Sequence, residues 1–355
     1  MTTSERKLAV GWFDNLPFRK CCEPYVSRIK EVFFAWPGVV ASRPMDEWTS
    51  EKRETIVSDL KWARKNGIEL DTIFNASCYG DIAMTETLAG IVTQKLEEMA
   101  SAGLFPEHLT TTSPFIATVV RQRFPEIKIR WSINMDIACT DALEYVKDLF
   151  DSFYAGRNSH RCLKYVEKMS QWAQAHGKEM GMQVNSGCLR NCPFHSFHNN
   201  LHGHGRMGQS AAAEKFHFSN FLCKTHYAKG NLTDFLKAIW IRPEDLPLYE
   251  KHISVAKLAT RRHPHPDKII AAYAKCSYDG DIAEITDPFF RFPYIIDNAA
   301  LGASKWWPVV RDAPDTTLPE IEIACKKLLE DCARPRNSSQ ENKSTEETFA
   351  SFFKG

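Results

Sequence analysis

The sequence of 355 residues lacks several features that would assign it to a familiar class of protein. Lys and Arg number 45 against 44 Asp and Glu, so no excess of one sign attracts nucleic acid or an anionic membrane. No apolar run approaches the roughly 20 residues of a membrane helix, and the first residues have no apolar signal-peptide region. We therefore expect a cytoplasmic protein that binds neither nucleic acid nor membrane. Self-association and pairing with another chain both stay open.

Motifs of common enzyme classes are also missing. There is no Gly-x-Ser-x-Gly elbow for serine catalysis and no His-Glu-x-x-His helix for zinc. The 11 cysteines are an odd number in a chain without an export signal, which indicates reduced thiols rather than a disulfide framework. Some of these thiols are therefore candidate metal ligands.

Short apolar runs alternate with helix-period segments along most of the chain. The predicted strands are Leu8–Phe13, Val32–Trp36, Glu69–Asn75, Leu109–Thr112, Ile127–Asn134, Asp151–Tyr154, Lys178–Asn185, Leu236–Ile241 and Ile253–Leu258. The predicted helices are Ser50–Asn66, Thr85–Ala102, Pro114–Phe124, Thr140–Leu149, Ser159–His176 and Asp267–Lys275. This alternation predicts an α/β fold, a TIM-like (β/α)8 barrel, with an open sheet under a helical cap as the alternative. We expect one barrel domain over 1–332, including a metal loop at 186–231, and a mobile polar tail over 333–355.

The metal loop concentrates Cys, His, Asn and Gly and follows a predicted strand. In a barrel it would therefore lie at the C-terminal mouth, where active sites are built. Three residues separate Cys188 from Cys192, and Cys223 follows later in the loop. Thiolates at such spacing select zinc or an iron–sulfur cluster. A zinc site would also draw on some of His195, His198, His202 and His204, and the plain alternative is that the cysteines are buried apolar residues.

Three segments together resemble the peptidase U32 family. They are the cysteine loop, the Pro-x-Asp-Leu box within Trp240–Leu246, and the Lys257…Arg261 strand end followed by a helix through Tyr273. The order of elements is similar over residues 5–290, and the motifs lie within 185–275.

The resemblance implies a TIM-like barrel that holds a 4Fe-4S cluster on four cysteines. Better-understood relatives carry out oxygen-independent hydroxylation of a quinone precursor or of RNA bases. By this resemblance Cys188, Cys192 and Cys223 are cluster ligands. The family usually has another cysteine just after the Asp-Leu box, where this chain has Pro247, so Cys78 at an early strand end is the candidate fourth ligand.

Polar and charged residues at the predicted strand ends suit a small anionic substrate, because Arg binds carboxylate or phosphate with two hydrogen bonds. The predicted substrate-binding residues are Asn75, Asn134, Arg157, Asn185 and Arg242, and the predicted catalytic residues are His195, His198, Lys257 and Arg261. For each Arg the alternative is a surface ion pair, and for His195 and His198 it is ordering of the loop.

We therefore expect an iron–sulfur enzyme that modifies a small anionic metabolite, by oxygen-independent hydroxylation or a related redox or dehydration step. One alternative is a zinc-dependent hydrolase or peptidase that uses the Cys/His loop. Another is a non-catalytic, cluster-bearing subunit of a heteromeric enzyme.

Overall fold

Eight parallel strands close into a barrel in chain order, so the predicted TIM-like fold is confirmed. The computed structural model describes residues 7–41, 48–158, 161–206 and 222–336, with the backbone alone at 202–206, 222 and 224. The strands are β1 (Leu8–Gly11), β2 (Ile29–Phe34), β3 (Glu69–Phe74), β4 (His108–Thr111), β5 (Lys128–Trp131), β6 (Ser152–Tyr154), β7 (Glu179–Gln183) and β8 (Val255–Leu258). The barrel closes at β1, where Ala9 pairs with Glu31 on one side and with Lys257 on the other.

Helices surround the barrel and follow most of its strands. They are α1 (Phe18–Cys22), α2 (Ser50–Lys65), α3 (Glu86–Ser101), α4 (Pro114–Arg123), α5 (Thr140–Glu144), α6 (Leu163–Ala175), α7 (His195–Arg206), α8 (Leu222–Ala228), α9 (Leu232–Lys237), α10 (Leu246–Glu250), α11 (Pro266–Lys275), α12 (Asn298–Ala303), α13 (Trp307–Arg311) and α14 (Pro319–Cys332). Single 3₁₀ turns occur at Glu23–Tyr25, Gly80–Ile82, Ile133–Met135, Lys147–Leu149, Pro243–Asp245 and Ile282–Ile285. Within the described residues, none of these helices is long and apolar enough to cross a membrane.

The longer helices begin where the sequence supplies a capping side chain. Thr49, Thr85 and Ser113 each accept a hydrogen bond from a backbone N–H in the first turn of α2, α3 and α4. Helix α3 then buries Leu88, Val92, Leu96 and Met99, which recur at three- and four-residue spacing. Local sequence therefore sets where these helices start and which face packs on the barrel.

Two segments of the chain differ in structure from what the sequence indicates. Leu236–Ile241 was predicted to be a strand, which is wrong, because α9 extends to Lys237 and the next residues lead into a 3₁₀ turn. A short apolar run that is buried on all sides does not distinguish a strand from a helix end. The structure also describes the first residues of the predicted tail. Ala333–Pro335 forms β10, which pairs antiparallel with β9 (Tyr294–Ile296), and the rest of the tail, 337–355, lies outside the described residues.

A hydrogen-bonded group, which we call the interior network, fills the middle of the barrel. It consists of Glu31, Asp71, Thr110, Arg130 and Tyr154, all fully buried. Arg130 donates to both carboxylate oxygens of Glu31, to Asp71 at 3.2 Å and to the Tyr154 hydroxyl at 3.2 Å. Burial alone would raise the pKa of Glu31, but Arg130 outweighs burial and lowers this pKa to about 2. Each ionised group of the network is thus paired inside the barrel.

Candidate functional site

The C-terminal mouth of the barrel holds a row of polar side chains that crosses from β3 to the loop after β7. The guanidinium of Arg157 donates to Oδ1 of Asn134 at 2.7 Å and to the imidazole of His195. Nδ2 of Asn134 in turn donates to the backbone oxygen of Asn75 at 3.4 Å. The structure therefore brings together four of the predicted site residues, three of which we call the mouth cluster: Asn134, Arg157 and His195.

Two side chains from neighbouring loops position this cluster. Asp136, which has a left-handed backbone with φ 47°, accepts a hydrogen bond from the backbone N–H of Arg157 at 3.0 Å. Asn158 accepts one from the backbone N–H of Asn191 at 2.9 Å. The loop after β6 is thereby joined to the cysteine loop directly before Cys192.

His195 is held as a neutral imidazole. Burial, followed by the positive charge of Arg157, lowers its pKa to about 3. Because an Arg N–H only donates, the ring nitrogen that receives it must be unprotonated. His195 therefore accepts a hydrogen bond here, and it does not carry a positive charge at neutral pH.

Three cysteines of the loop lie near one buried tyrosine, Tyr227. Its hydroxyl donates to the backbone oxygen of Gly187 at 3.1 Å, and Cys188 is the next residue. Cys223 precedes Tyr227 by four residues in α8, which places both on one face of that helix. Burial and then the nearby thiols of Cys223 and Cys188 raise the pKa of Tyr227 well above its ordinary value, and Cys192 adds to this effect. We call Cys188, Cys192 and Cys223 the thiol cluster.

Cys78 belongs to a different part of the mouth. It follows β3, and β3 stands opposite β7 in the eight-stranded barrel, whereas Cys188 and Cys192 follow β7. Its sulfur accepts a hydrogen bond from the backbone N–H of Gly80 at 3.3 Å. Asn75, three residues earlier, is at the far end of the polar row that starts at His195.

The thiol cluster offers soft ligands that both zinc and iron–sulfur clusters accept. Around one zinc ion the ligand sulfurs lie about 4 Å apart, because each Zn–S bond is about 2.3 Å. Among the described residues, only Glu31, Glu69 and His108 have three ligand atoms within 4.8 Å of one another, and they lie in the barrel interior. A cubane cluster spreads its ligands over four corners and so accepts more widely spaced thiolates. His202 and His204 lie in α7, but their side chains are outside the described part of the chain.

Lys257 and Arg261 share an aromatic wall below the mouth. Nζ of Lys257 lies 4.0 Å from the ring centroid of Phe33 and 4.6 Å from that of Tyr154, and the side chain is buried. The guanidinium of Arg261 lies 5.9 Å from the Phe33 centroid. Gly11 allows this approach, because a Cβ there would stand 2.5 Å from Cγ of Arg261 and 2.6 Å from the Phe33 ring. Burial is the main reason why the pKa of Lys257 is lowered to about 7.

The side chains of two predicted substrate-binding residues are hydrogen-bonded to other parts of the protein. The Asn185 side chain accepts from the backbone N–H of Ala259 at 2.8 Å and donates to the oxygen of Ile285 at 3.2 Å, which joins the ends of β7 and β8. Arg242 donates to Asn298 at 2.9 Å and pairs with Glu244 at 3.2 Å, next to Gly302. The structure does not bring these two residues into the mouth cluster.

Comparison with known proteins gives one curated relative and several solved structures. The chain is similar to an uncharacterized protease of Methanocaldococcus jannaschii, 23% identical over 262 residues, which cover 72% of this chain and 75% of the relative. A solved U32 peptidase is 11% identical with a TM-score of 0.48, covering 59% of this chain and 81% of that one. At these identities the relationship to the U32 family stays a prediction. No family model matches the chain.

A third likeness is to the GH53 catalytic domain of Ignisphaera aggregans, 9% identical with a TM-score of 0.36, covering 54% of this chain and 71% of that one. The chemistry of the site therefore follows from the residues of this chain. Those that the sequence reasoning missed are Phe33, Tyr154 and Tyr227. Alternation along β2 and β6 points Phe33 and Tyr154 into the barrel, and this signal was available in the sequence. The contact between Tyr227 and Gly187 leaves no local signal in the sequence, because it joins residues 40 positions apart.

Proposed function

We propose that the protein is an iron–sulfur enzyme that acts on a small anionic substrate at the barrel mouth. Cys188, Cys192 and Cys223 would hold the cluster, and the observation that supports this is their grouping around Tyr227. When bound, such a cluster would supply one-electron redox chemistry or a Lewis-acidic iron. The chemistry of the ligands fits, since thiolates are the usual ligands of iron–sulfur clusters.

The side chains beside the thiol cluster suit an anion. Arg157 presents a guanidinium next to His195, and Arg261 presents another over the Phe33 ring. Guanidinium groups bind carboxylate with two parallel hydrogen bonds, which both attracts and orients the substrate. Neutral His195 would orient Arg157 and exclude water from it, and His198 remains the candidate for proton transfer. Oxygen-independent hydroxylation, or a related redox or dehydration step, is the reaction class that we propose.

The barrel topology bears on whether Cys78 is the fourth ligand of the proposed cluster. Cys78 stands across the barrel from the thiol cluster, so it could ligate the cluster only from the far side of the mouth. We propose that three cysteines suffice for assembly and that Cys78 is dispensable. One iron would then lack a cysteine ligand and would be able to bind substrate or water.

Anaerobic purification tests this proposal. The protein should be brown and contain about four irons per chain. Cys188→Ser, Cys192→Ser and Cys223→Ser should each lose most of the iron, whereas Cys78→Ser should keep it. Cys325→Ser is the matched control, because Cys325 is fully buried in α14 and outside the thiol cluster.

Two outcomes would overturn the proposal. Full iron content after any of the three loop substitutions would reject the ligand assignment. Colourless protein with one zinc per chain, and with chelator-sensitive cleavage of peptides, would favour the hydrolase alternative, which the name of the archaeal relative also suggests.

A further inference from the structure

Lys257 is a buried amine that has no ion-pair partner among the described residues. Within the described part of the chain, Nζ contacts the Phe33 and Tyr154 rings and no carboxylate within salt-bridge distance. The acid with the largest influence on it, Asp71, already accepts a hydrogen bond from the Thr110 hydroxyl, which lies 2.7 and 2.9 Å from its two oxygens, and one from Arg130. A lysine that served only to balance charge would face that carboxylate directly.

Lys257 lies near the C-terminal end of its strand. It is the third of the four residues of β8, and its register partner on β7 is Gln183, two residues before Asn185. Its partner on β1 is Ala9, which pairs with Glu31 on its other side, so Lys257 also borders the interior network. The C-terminal end of the strands is the end at which the proposed substrate would enter.

Arg261 supplies an anion-binding group beside this amine. Its guanidinium and the Lys257 ammonium lie over the same Phe33 ring, with group-to-centroid distances of 5.9 and 4.0 Å. A 2-oxo acid has a carboxylate and a carbonyl on adjacent carbon atoms. It can therefore place its carboxylate at Arg261 and its carbonyl carbon at Nζ of Lys257.

We propose that Lys257 forms a covalent imine with a 2-oxo acid bound by Arg261. The amine nitrogen attacks the carbonyl carbon and a C–N bond forms. The carbonyl oxygen leaves with both amine protons as water, so the step needs no oxidant or reductant. The lowered pKa of Lys257 supports this chemistry, because a sizeable fraction of the amine is neutral at pH 7.

Reductive trapping with pyruvate tests this inference. Sodium cyanoborohydride delivers hydride to the imine carbon and leaves a stable secondary amine. Peptide mapping by mass spectrometry should find one reduced pyruvate on the peptide that contains Lys257, and Lys257→Arg should remove it. Arg261→Gln keeps the amine and should slow labelling at least tenfold at low pyruvate concentration, and lactate should protect the wild-type protein.

Lys7 is the matched control. Burial also lowers its pKa, but its Nζ donates to the Ile253 oxygen at 2.9 Å at the N-terminal end of the barrel. Lys7→Arg should leave labelling unchanged. Equal labelling of many lysines, or labelling that survives in folded Lys257→Arg protein, would reject the imine. Circular dichroism of each variant confirms that it is folded.

This inference rests on the anionic-substrate part of the proposed function and not on the cluster. Iron content should be unchanged in Lys257→Arg. Absent labelling in iron-loaded protein would reject the imine alone, whereas labelling of a colourless protein would reject the cluster alone.

Discussion

The interior network and the mouth cluster use the same kinds of side chain to different ends. In the interior network, Arg130 is fully buried and its guanidinium is matched by Glu31, Asp71, Ser152 and Tyr154. In the mouth cluster, Arg157 donates to an amide oxygen and to a neutral imidazole. The proposed function expects this difference, because the acids that pair with Arg130 would stabilise the middle of the barrel, whereas the mouth would bind an external anion.

The largest effect should come from breaking the interior network. Arg130→Met leaves Glu31 and Asp71 buried without their cation, so the free energy of unfolding should fall by about 3–5 kcal/mol. Urea denaturation measures this loss. The double variant Glu31→Met with Arg130→Met should recover part of it. If the single variant costs less than about 1 kcal/mol, the network does not stabilise the fold.

The buried residue His263 tests whether a titratable group near the mouth can also contribute to the stability of the fold. Burial lowers the pKa of His263 to about 4, and its Nε2 pairs with the Thr286 oxygen. Between pH 6.5 and 4 the unfolded chain binds more protons at this site than the folded one, so stability falls as pH falls. The loss should reach about 3 kcal/mol, at 1.36 kcal/mol per pKa unit.

Unfolding measured at pH 7 and at pH 4.5 checks this expectation. His263→Gln should show a shallower pH dependence, because the titrating group is gone. An identical slope in the variant and the wild type would show that other groups govern acid stability.

Tyr227→Phe should affect both the stability of the fold and the proposed cluster. Loss of the hydroxyl leaves the buried Gly187 oxygen without its donor, which should cost about 1–3 kcal/mol. The iron content of anaerobically purified protein should fall as well, because Cys188 adjoins Gly187. Tyr273→Phe is the control, since its hydroxyl also donates to backbone oxygens, of Val184 and Ile241, away from the cysteines. It should cost similar stability and keep the iron.

The smallest effect on stability should come from the mouth cluster itself. Arg157→Gln should lower the free energy of unfolding by about 1 kcal/mol or less, since Asn134 and His195 are partly exposed and can bind water. Binding of small carboxylates, followed by calorimetry, should weaken at least tenfold. A large loss of stability with unchanged carboxylate binding would show that the mouth cluster stabilises the fold and does not bind the anion.

The sequence predicted the barrel because its alternation of short apolar runs and amphipathic segments is a local property. The strand predicted at Leu236–Ile241 was wrong because a segment buried on all sides has no periodic spacing of apolar residues to distinguish a strand from a helix. The strand-end rule placed Asn134, Arg157 and His195 at one mouth. It did not separate them from Asn185 and Arg242, whose partners, Ile285 and Asn298, are 100 and 56 residues away. Such distant pairing decides whether a polar side chain supports the fold or faces a ligand.

The ring of Tyr154 lies between the interior network and Lys257. Its ring lies 5.3 Å from the Arg130 guanidinium and 4.6 Å from the Lys257 ammonium, so one aromatic face system serves two cations. Discharge of Lys257 would leave Arg130 as the sole cation of this pair and would remove their mutual repulsion. The folding free energy of the barrel therefore depends on the chemical state of one amine, and a molecule that reacts at the mouth would register as a change in the melting temperature of the whole domain.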